Sequence, residues 1–138
     1  MGKILINQTK TPMFNEQLRK RTMNMACDTR KVLLGIEIGS IDRPIVNQLI
    51  RSSSSVAANY RAATRALSDS EFFAKICIVT EEADETLFWL EYLILIQLLD
   101  GDKIASLLDE IDQLVRLFVK IKRKMAEKLE KGRKERKS

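Results

Sequence analysis

The sequence predicts an all-α protein, an antiparallel up-down-up-down four-helix bundle. Four segments carry apolar residues at spacings of three and four, which is the pattern of helices that bury one face. No segment alternates with the period of two that is typical of strands. The connections between the segments are short, and short connections make consecutive helices antiparallel.

The first two helices are expected at about residues 14–37 and 43–67, after a flexible leader at residues 1–12. Gly35 and Gly39 indicate the end of the first helix, because glycine favours the backbone conformation that terminates helices. Asp42 is the expected N-cap of the second helix, and Pro44 fits its first turn. The second helix is rich in Ser and Ala, so a neighbouring helix can approach it closely.

The third and fourth helices are expected at about residues 69–99 and 103–131, completing a bundle over residues 13–131. Ser68 and Glu71 have the spacing of a capping box. Gly101 is the expected C-cap residue of the third helix, and Asp102 the expected N-cap of the fourth. A basic disordered tail is expected from Gly132 to the C-terminus, since the apolar positions stop after Leu129.

The second half of the third helix is apolar on every side, and such a helix must be covered all round. One small bundle cannot cover it with its own chain, so we expect self-association or a partner surface here. The expected oligomer interface consists of Phe88, Trp89, Tyr92, Leu93, Leu95, Ile96 and Leu99. A base-stacking surface is a weaker interpretation, because this stretch has no neighbouring cations.

The net charge of +5 is concentrated at the C-terminal end. Residues 120–138 contain ten basic and three acidic side chains, whereas the preceding 119 residues carry a net charge of −2. A basic segment of this kind suits phosphate binding, although it can also serve only solubility. The candidate nucleic-acid-binding residues are Arg43, Arg51, Arg61 and Arg65 on the second helix and Lys120, Lys122, Arg123, Lys124, Lys128 and Lys131 on the fourth.

Acidic residues on the third helix are the expected partners of the arginines on the second. They are Glu81, Glu82 and Glu85. Exposed ion pairs of this kind contribute about 0–1 kcal/mol each and guide register more than stability. A carboxylate-only metal site is the weaker alternative, and we expect neither a metal nor another cofactor.

The absence of histidine excludes Ser–His and Cys–His nucleophilic pairs and the usual His-containing zinc sites. No Gly-rich phosphate loop or CxxC pair occurs either. We therefore expect no catalytic residues and no enzymatic activity. The apolar runs are too short for a membrane span, no secretory signal is evident, and the two cysteines show no disulfide pattern, so a cytoplasmic location is expected.

The second and third helices resemble a known family in the succession RSSSSVAANYRAA, S-x-x-E-F and then EEADE and FWLE. This succession is similar to that of the bacterial four-helix-bundle proteins encoded by intervening sequences in 23S rRNA genes. The resemblance covers roughly residues 14–125. It implies a four-helix bundle. It also implies a homopentameric ring, as in the related accessory variability protein of diversity-generating retroelements.

Two functional hypotheses follow. The first is a non-enzymatic, homo-oligomeric RNA- or DNA-binding protein, with RNA the expected ligand and contacts directed mainly to phosphates. The second is a protein-interaction scaffold or accessory subunit, for instance for a retroelement reverse transcriptase, in which the charges serve solubility and assembly.

Overall fold

The structure, a computed structural model, describes residues 12–137, and in that range it is all-α as predicted, with four helices and no strand. The helices are α1 (Pro12–Leu33), α2 (Arg43–Ala63), α3 (Asp69–Leu95) and α4 (Ala105–Lys137). The expected leader lies outside the described residues except for Pro12, which begins α1. Within the described range, no helix has the length and apolarity needed to cross a membrane.

The four helices pack around one core, each contributing the apolar stripe that its sequence shows. Contact is most extensive between α2 and α3, and it is less extensive between α1 and α4 than between helices that follow one another in the chain. The Tyr60 ring packs against that of Phe118, with 5.5 Å between their centroids. The largest fully buried side chains are Leu18, Met25, Leu49, Tyr60, Phe72, Ile76, Leu90, Leu93, Ile111, Leu114, Phe118 and Met125.

The start of α3 is capped as the sequence predicts. Ser68 has an extended backbone, and its hydroxyl oxygen accepts a hydrogen bond of 3.1 Å from the Glu71 amide. The Glu71 carboxylate in turn accepts from the Leu67 amide at 2.8 Å. The first bond satisfies an amide group that the first turn of a helix leaves without a partner, and the second ties the residue before the N-cap to the helix.

The end of α3 differs from the prediction, because the helix stops at Leu95 and not near residue 99. Gln97 adopts a φ of 65°, and its amide donates to the Ile94 carbonyl at 2.9 Å. The Leu98 amide donates to the Leu93 carbonyl, also at 2.9 Å. This pair of bonds is the Schellman arrangement, in which the left-handed residue is usually glycine. Gln97 takes that position here, so Gly101 is not the C-cap residue.

The first two helices also end four residues earlier than predicted, at Leu33 and Ala63. Gly35 has a φ of 80°, which turns the chain out of the α1 direction. Asp42 occupies the N-cap position of α2, but its side chain makes no capping hydrogen bond. The helix α4 begins at Ala105, so Asp102 does not cap it.

The expected disordered tail is instead the last part of α4, which remains helical to Lys137. The Glu130 carboxylate pairs with Arg133 and Lys134, three and four residues further along the helix. Such spacings favour helix, and cations in the last turn interact favourably with the helix dipole. These ion pairs favour the helical conformation after Leu129, where the apolar positions stop.

Candidate nucleic-acid interface

The antiparallel topology places the C-terminal ends of α2 and α4 and the N-terminal end of α3 at the same end of the bundle. We call this the basic end. The Lys128 ammonium lies 3.0 Å from the Asp69 carboxylate. Asp69 is the first residue of α3, so this ion pair marks the level at which α3 begins alongside α4.

Residues 129–137 of α4, the C-terminal extension, lie past the first residue of α3. At 1.5 Å per residue these nine residues span about 13 Å. Every side chain from Glu130 to Lys137 is exposed, with half-buried Gly132 the exception among these positions. The extension carries five basic and two acidic side chains. Its five cations are exposed to solvent, and two of them, Arg133 and Lys134, also pair with Glu130 of the same helix.

The other candidate cations of α4 lie on the part of the helix that is packed in the bundle. Lys120, Arg123 and Lys124 are exposed and point away from the core. Lys122 and Lys128 are half-buried at its flanks, and Lys128 is already paired with Asp69. Lys131 belongs to the extension. The exposed lysines and arginine thus form an outward stripe that leads into the extension.

The four arginines of the second segment do not form one surface, contrary to expectation. Arg61 and Arg65 are exposed at the basic end, Arg65 lying just beyond the end of α2. Arg43 lies at the opposite end, about 27 Å from Arg61 along the helix axis. It donates a hydrogen bond of 3.3 Å to the Ile38 carbonyl. Arg61 and Arg65 therefore belong to the basic end, and Arg43 does not.

Arg51 is committed to an interhelical ion pair and is not part of the basic end. Its two terminal nitrogens donate to both Glu82 carboxylate oxygens at 2.9 Å, and one also donates to Glu85 at 2.9 Å. Hydrogen bonding to Glu82, and in second place hydrogen bonding to Glu85, raises the pKa of the Arg51 guanidinium above its ordinary value. Glu81, the third expected partner, is exposed to solvent.

The Arg51 pair belongs to a larger polar network between α2 and α3. The indole nitrogen of Trp89 donates to Glu85 at 3.1 Å, and the Ser55 hydroxyl donates to Glu82 at 3.3 Å. The Trp89 contact was not predicted, although its spacing of four residues from Glu85 is the signal that could have identified it. This network fixes the orientation of the Trp89 ring.

An exposed apolar surface lies next to this network on α3. We call it the α3 aromatic surface. Phe88 is 52%, Leu95 81% and Ile96 42% exposed. The rings of Phe88 and Trp89 meet edge to face at 4.8 Å, and those of Trp89 and Tyr92 at 5.6 Å. The surface consists of Phe88, Trp89, Tyr92, Leu95 and Ile96, of which Trp89 and Tyr92 are half-buried.

Two residues of the expected oligomer interface are instead core residues of the protomer. Leu93 is fully buried, and Leu99 is 5% exposed. Leu93 is on the same stripe of α3 as Leu90, and Leu99 folds back because the chain leaves the helix after Leu95. The early end of α3 explains why a wheel extended to residue 99 misplaces Leu99.

A further cationic feature, not predicted from the sequence, lies between α1 and α4. Arg21 donates two hydrogen bonds of 2.9 Å to the Glu110 carboxylate and one of 3.2 Å to Gln113. Hydrogen bonding to Glu110 raises the pKa of Arg21. These residues are 89 or more apart in sequence, so no local spacing reveals the contact. An open cleft of about 290 Å³ is lined by Arg21, Gln113, Arg116, Leu117 and Lys120.

The described residues contain no group of three or more Cys, Asp or Glu side chains arranged to hold a metal ion. The acidic cluster on α3 instead uses Glu82 and Glu85 to hold Arg51. Its chemistry is that of a structural ion pair.

The family assignment agrees with this architecture. A sequence model described as 23S rRNA-intervening sequence protein matches residues 16–120, most of the chain. The chain belongs to this family. The α3 aromatic surface lies inside the match, whereas the C-terminal extension lies beyond it.

A solved structure supports the same fold for this 23S rRNA-intervening sequence protein. It is a protein of unknown function from the S23 ribosomal protein family of Bacteroides thetaiotaomicron, 25% identical to this chain. The TM-score is 0.68, and the alignment covers 79% of this chain and 97% of the other. A search of curated proteins found no match.

Proposed function

We propose that this protein is a non-enzymatic, homo-oligomeric nucleic-acid-binding protein that contacts phosphates through the basic end of its bundle. The observation that carries the proposal is the C-terminal extension, a helix with five exposed cations that projects past the start of α3. Lysine and arginine bind nucleic acids mainly by neutralising phosphates and releasing counterions. Because phosphate contacts do not distinguish sequences, binding is weakly sequence-specific.

Self-association adds to this binding by multiplying the extensions. The α3 aromatic surface exposes Phe88, Leu95 and Ile96 together, and adjacent exposed apolar residues favour an interface. A second copy of the chain covers this surface in the proposed assembly, and the family resemblance suggests a ring of five. Several extensions on one particle then bind one nucleic acid with an avidity that a single copy lacks.

Salt-dependent binding tests the proposal. Fluorescence anisotropy with labelled RNA and DNA would compare the wild-type protein with a variant in which Lys131, Arg133, Lys134, Arg136 and Lys137 are replaced by Gln. Gln keeps helix propensity while it removes charge. We expect the wild type to bind at low salt with a steep salt dependence, and the variant to bind weakly with a much smaller slope.

A control variant removes four cations from the opposite end of the bundle by Arg30→Gln, Lys31→Gln, Arg43→Gln and Lys103→Gln. This variant should retain most of the affinity, because these residues lie far from the extension. Absence of RNA and DNA binding at low salt would overturn the proposal, and so would an equal loss in both variants.

The scaffold hypothesis makes a different prediction for the same protein. If the α3 aromatic surface docks another protein, such as a reverse transcriptase, a stoichiometric protein partner should survive nuclease treatment in a pull-down from the native cell. A Leu95→Asp variant should then lose that partner. Recovery of nucleic acid, and its loss on nuclease treatment, would instead support the binding proposal.

A further inference from the structure

The surroundings of α4 change at Leu129, and the charge pattern changes with them. Within the bundle the inward side of α4 is apolar, with Phe118 and Met125 buried and Leu129 half-buried. At 100° per residue the positions that continue this stripe are Gly132 and Arg136. The Arg136 Nη1 atom lies 3.6 Å from the position that a Cβ atom would occupy at Gly132.

Within the bundle, cations lie on the outward side and at both flanks of α4, whereas in the C-terminal extension Arg136 also occupies the position of the inward stripe. Arg136 continues the inward stripe, and Arg133 lies about 75° from it. Lys131 and Lys134 lie on the outward side, each more than about 120° from the stripe. A helix that rests on a flat phosphate surface uses the cations of one side. A helix inside a groove is flanked by phosphates on both sides.

We infer that the C-terminal extension binds by insertion into the major groove of a B-form DNA duplex. The inference rests on the proposed function and narrows its ligand. A helix with side chains is about 10–12 Å across, and the B-DNA major groove is about 12 Å wide. The major groove of A-form RNA is deep and narrow and does not admit such a helix.

The composition of the extension also favours this groove over the minor groove. Proteins that bind the minor groove often insert apolar wedges between base pairs. After Leu129 the extension has no apolar side chain to serve as a wedge. Its length of about 13 Å matches roughly four base pairs at 3.4 Å each, enough to reach phosphates on both strands.

Two charge-matched pairs of substitutions test the inference with the full-length protein and a DNA duplex. Lys131→Gln with Lys134→Gln removes the outward charges, and Arg133→Gln with Arg136→Gln removes the inward ones. The slope of log affinity against log salt concentration is negative. Insertion predicts that each pair of substitutions makes it shallower by a similar amount, up to about 2. Arg30→Gln with Lys31→Gln, at the far end of the bundle, should leave the slope unchanged.

The same measurements with an RNA duplex of identical sequence complete the test. DNA should bind at least tenfold more tightly than the RNA duplex at low salt. Equal affinity for the two duplexes, or an effect of the outward pair alone, would overturn insertion while leaving phosphate-directed binding intact. Failure of DNA, duplex RNA and single-stranded RNA to bind would overturn both. Circular dichroism would verify that all variants keep the wild-type helix content.

Discussion

Thr86 donates a hydrogen bond to Ser52 across the seam between α2 and α3, with 3.0 Å between the two hydroxyl oxygens. Both side chains are fully buried. The Ser52 hydroxyl in turn donates to the Leu49 carbonyl at 3.2 Å. Because both side chains are small and satisfied, the two helices approach closely without leaving a buried polar group unpaired.

Enlarging the buried serine should therefore destabilise the protein more than removing the hydrogen bond. Thr86→Val conserves volume and loses one donor, so we expect the free energy of unfolding to fall by about 1 kcal/mol. Ser52→Leu forces a large side chain into a packed seam and should cost about 1–3 kcal/mol or more. Urea unfolding followed by circular dichroism measures both changes.

Ser54→Leu is the matched control, since Ser54 is exposed on the same helix. Its effect on stability should stay within about 0.5 kcal/mol. Leu has a higher helix propensity than Ser, so propensity alone predicts no loss in either variant. A similar loss in Ser52→Leu and Ser54→Leu would contradict close packing of α2 on α3 at Ser52.

The Arg51 pair predicts a stability effect without an effect on nucleic-acid binding. Arg51→Met leaves the Glu82 and Glu85 carboxylates close together without their shared cation. Because Arg51 is about half exposed, we expect a loss of only about 1 kcal/mol, decreasing as salt screens the repulsion. Urea unfolding at low and high salt measures this loss, and anisotropy should show unchanged nucleic-acid affinity. A marked loss of affinity would contradict the structural role of Arg51.

Leu95 and Leu93 should separate assembly from folding, although they are only two residues apart. Leu95→Asp places a charge on the α3 aromatic surface, so the protomer should stay folded while the proposed oligomer dissociates. Leu93→Ala creates a cavity in the core and should lower the free energy of unfolding by about 2–5 kcal/mol. Light scattering gives the mass, and circular dichroism gives the fold.

Leu67→Asp is the control for assembly, because Leu67 is 86% exposed at the basic end. It should leave the mass unchanged. If Leu95→Asp also keeps the wild-type mass, the oligomer interface does not include the α3 aromatic surface.

The contrast between the buried Leu93 and the exposed Leu95 shows what the sequence could predict. Periodicity identified the four helices and most core positions, because burial follows helical spacing directly. It could not locate the end of α3, since Gln97 takes the left-handed position where glycine was expected. Because α3 ends at Leu95 and not near residue 99, Leu99 lies in the core and not in the expected interface.

The positions and partners of the charged side chains were harder to predict than the buried apolar residues. The arginines of α2 share a helical arc, but Arg51 faces Glu82 while Arg43 and Arg61 lie at opposite ends. Local sequence does not reveal which cation meets a partner from another helix. The helix α4 continues beyond Gly132, where Glu130 pairs with Arg133 and Lys134. The prediction of a disordered tail rested on the missing apolar stripe and did not consider this pairing.

The positive φ of Gln97 predicts a stabilising substitution at the end of α3. A left-handed backbone costs an L-residue roughly 1–2 kcal/mol, and glycine avoids this cost at an entropic loss of about 0.4–1 kcal/mol in the unfolded chain. Gln97→Gly should therefore raise the free energy of unfolding by about 0.5–1 kcal/mol, measured by urea unfolding. Gln97→Val should lower it, because a β-branched residue tolerates this conformation poorly. Destabilisation by glycine would contradict the Schellman end.

The buried Tyr60 phenol predicts a loss of stability at alkaline pH. Its hydroxyl donates to Asn15 at 3.1 Å, and burial raises its pKa above the ordinary value of about 10. Above about pH 10 the unfolded chain ionises at this residue while the folded chain does not, so rising pH favours unfolding. Tyr60→Phe should be about 1 kcal/mol less stable near pH 8, and this deficit should shrink near pH 11. Urea unfolding of both proteins measures it, and an equal deficit at both pH values would contradict the raised pKa.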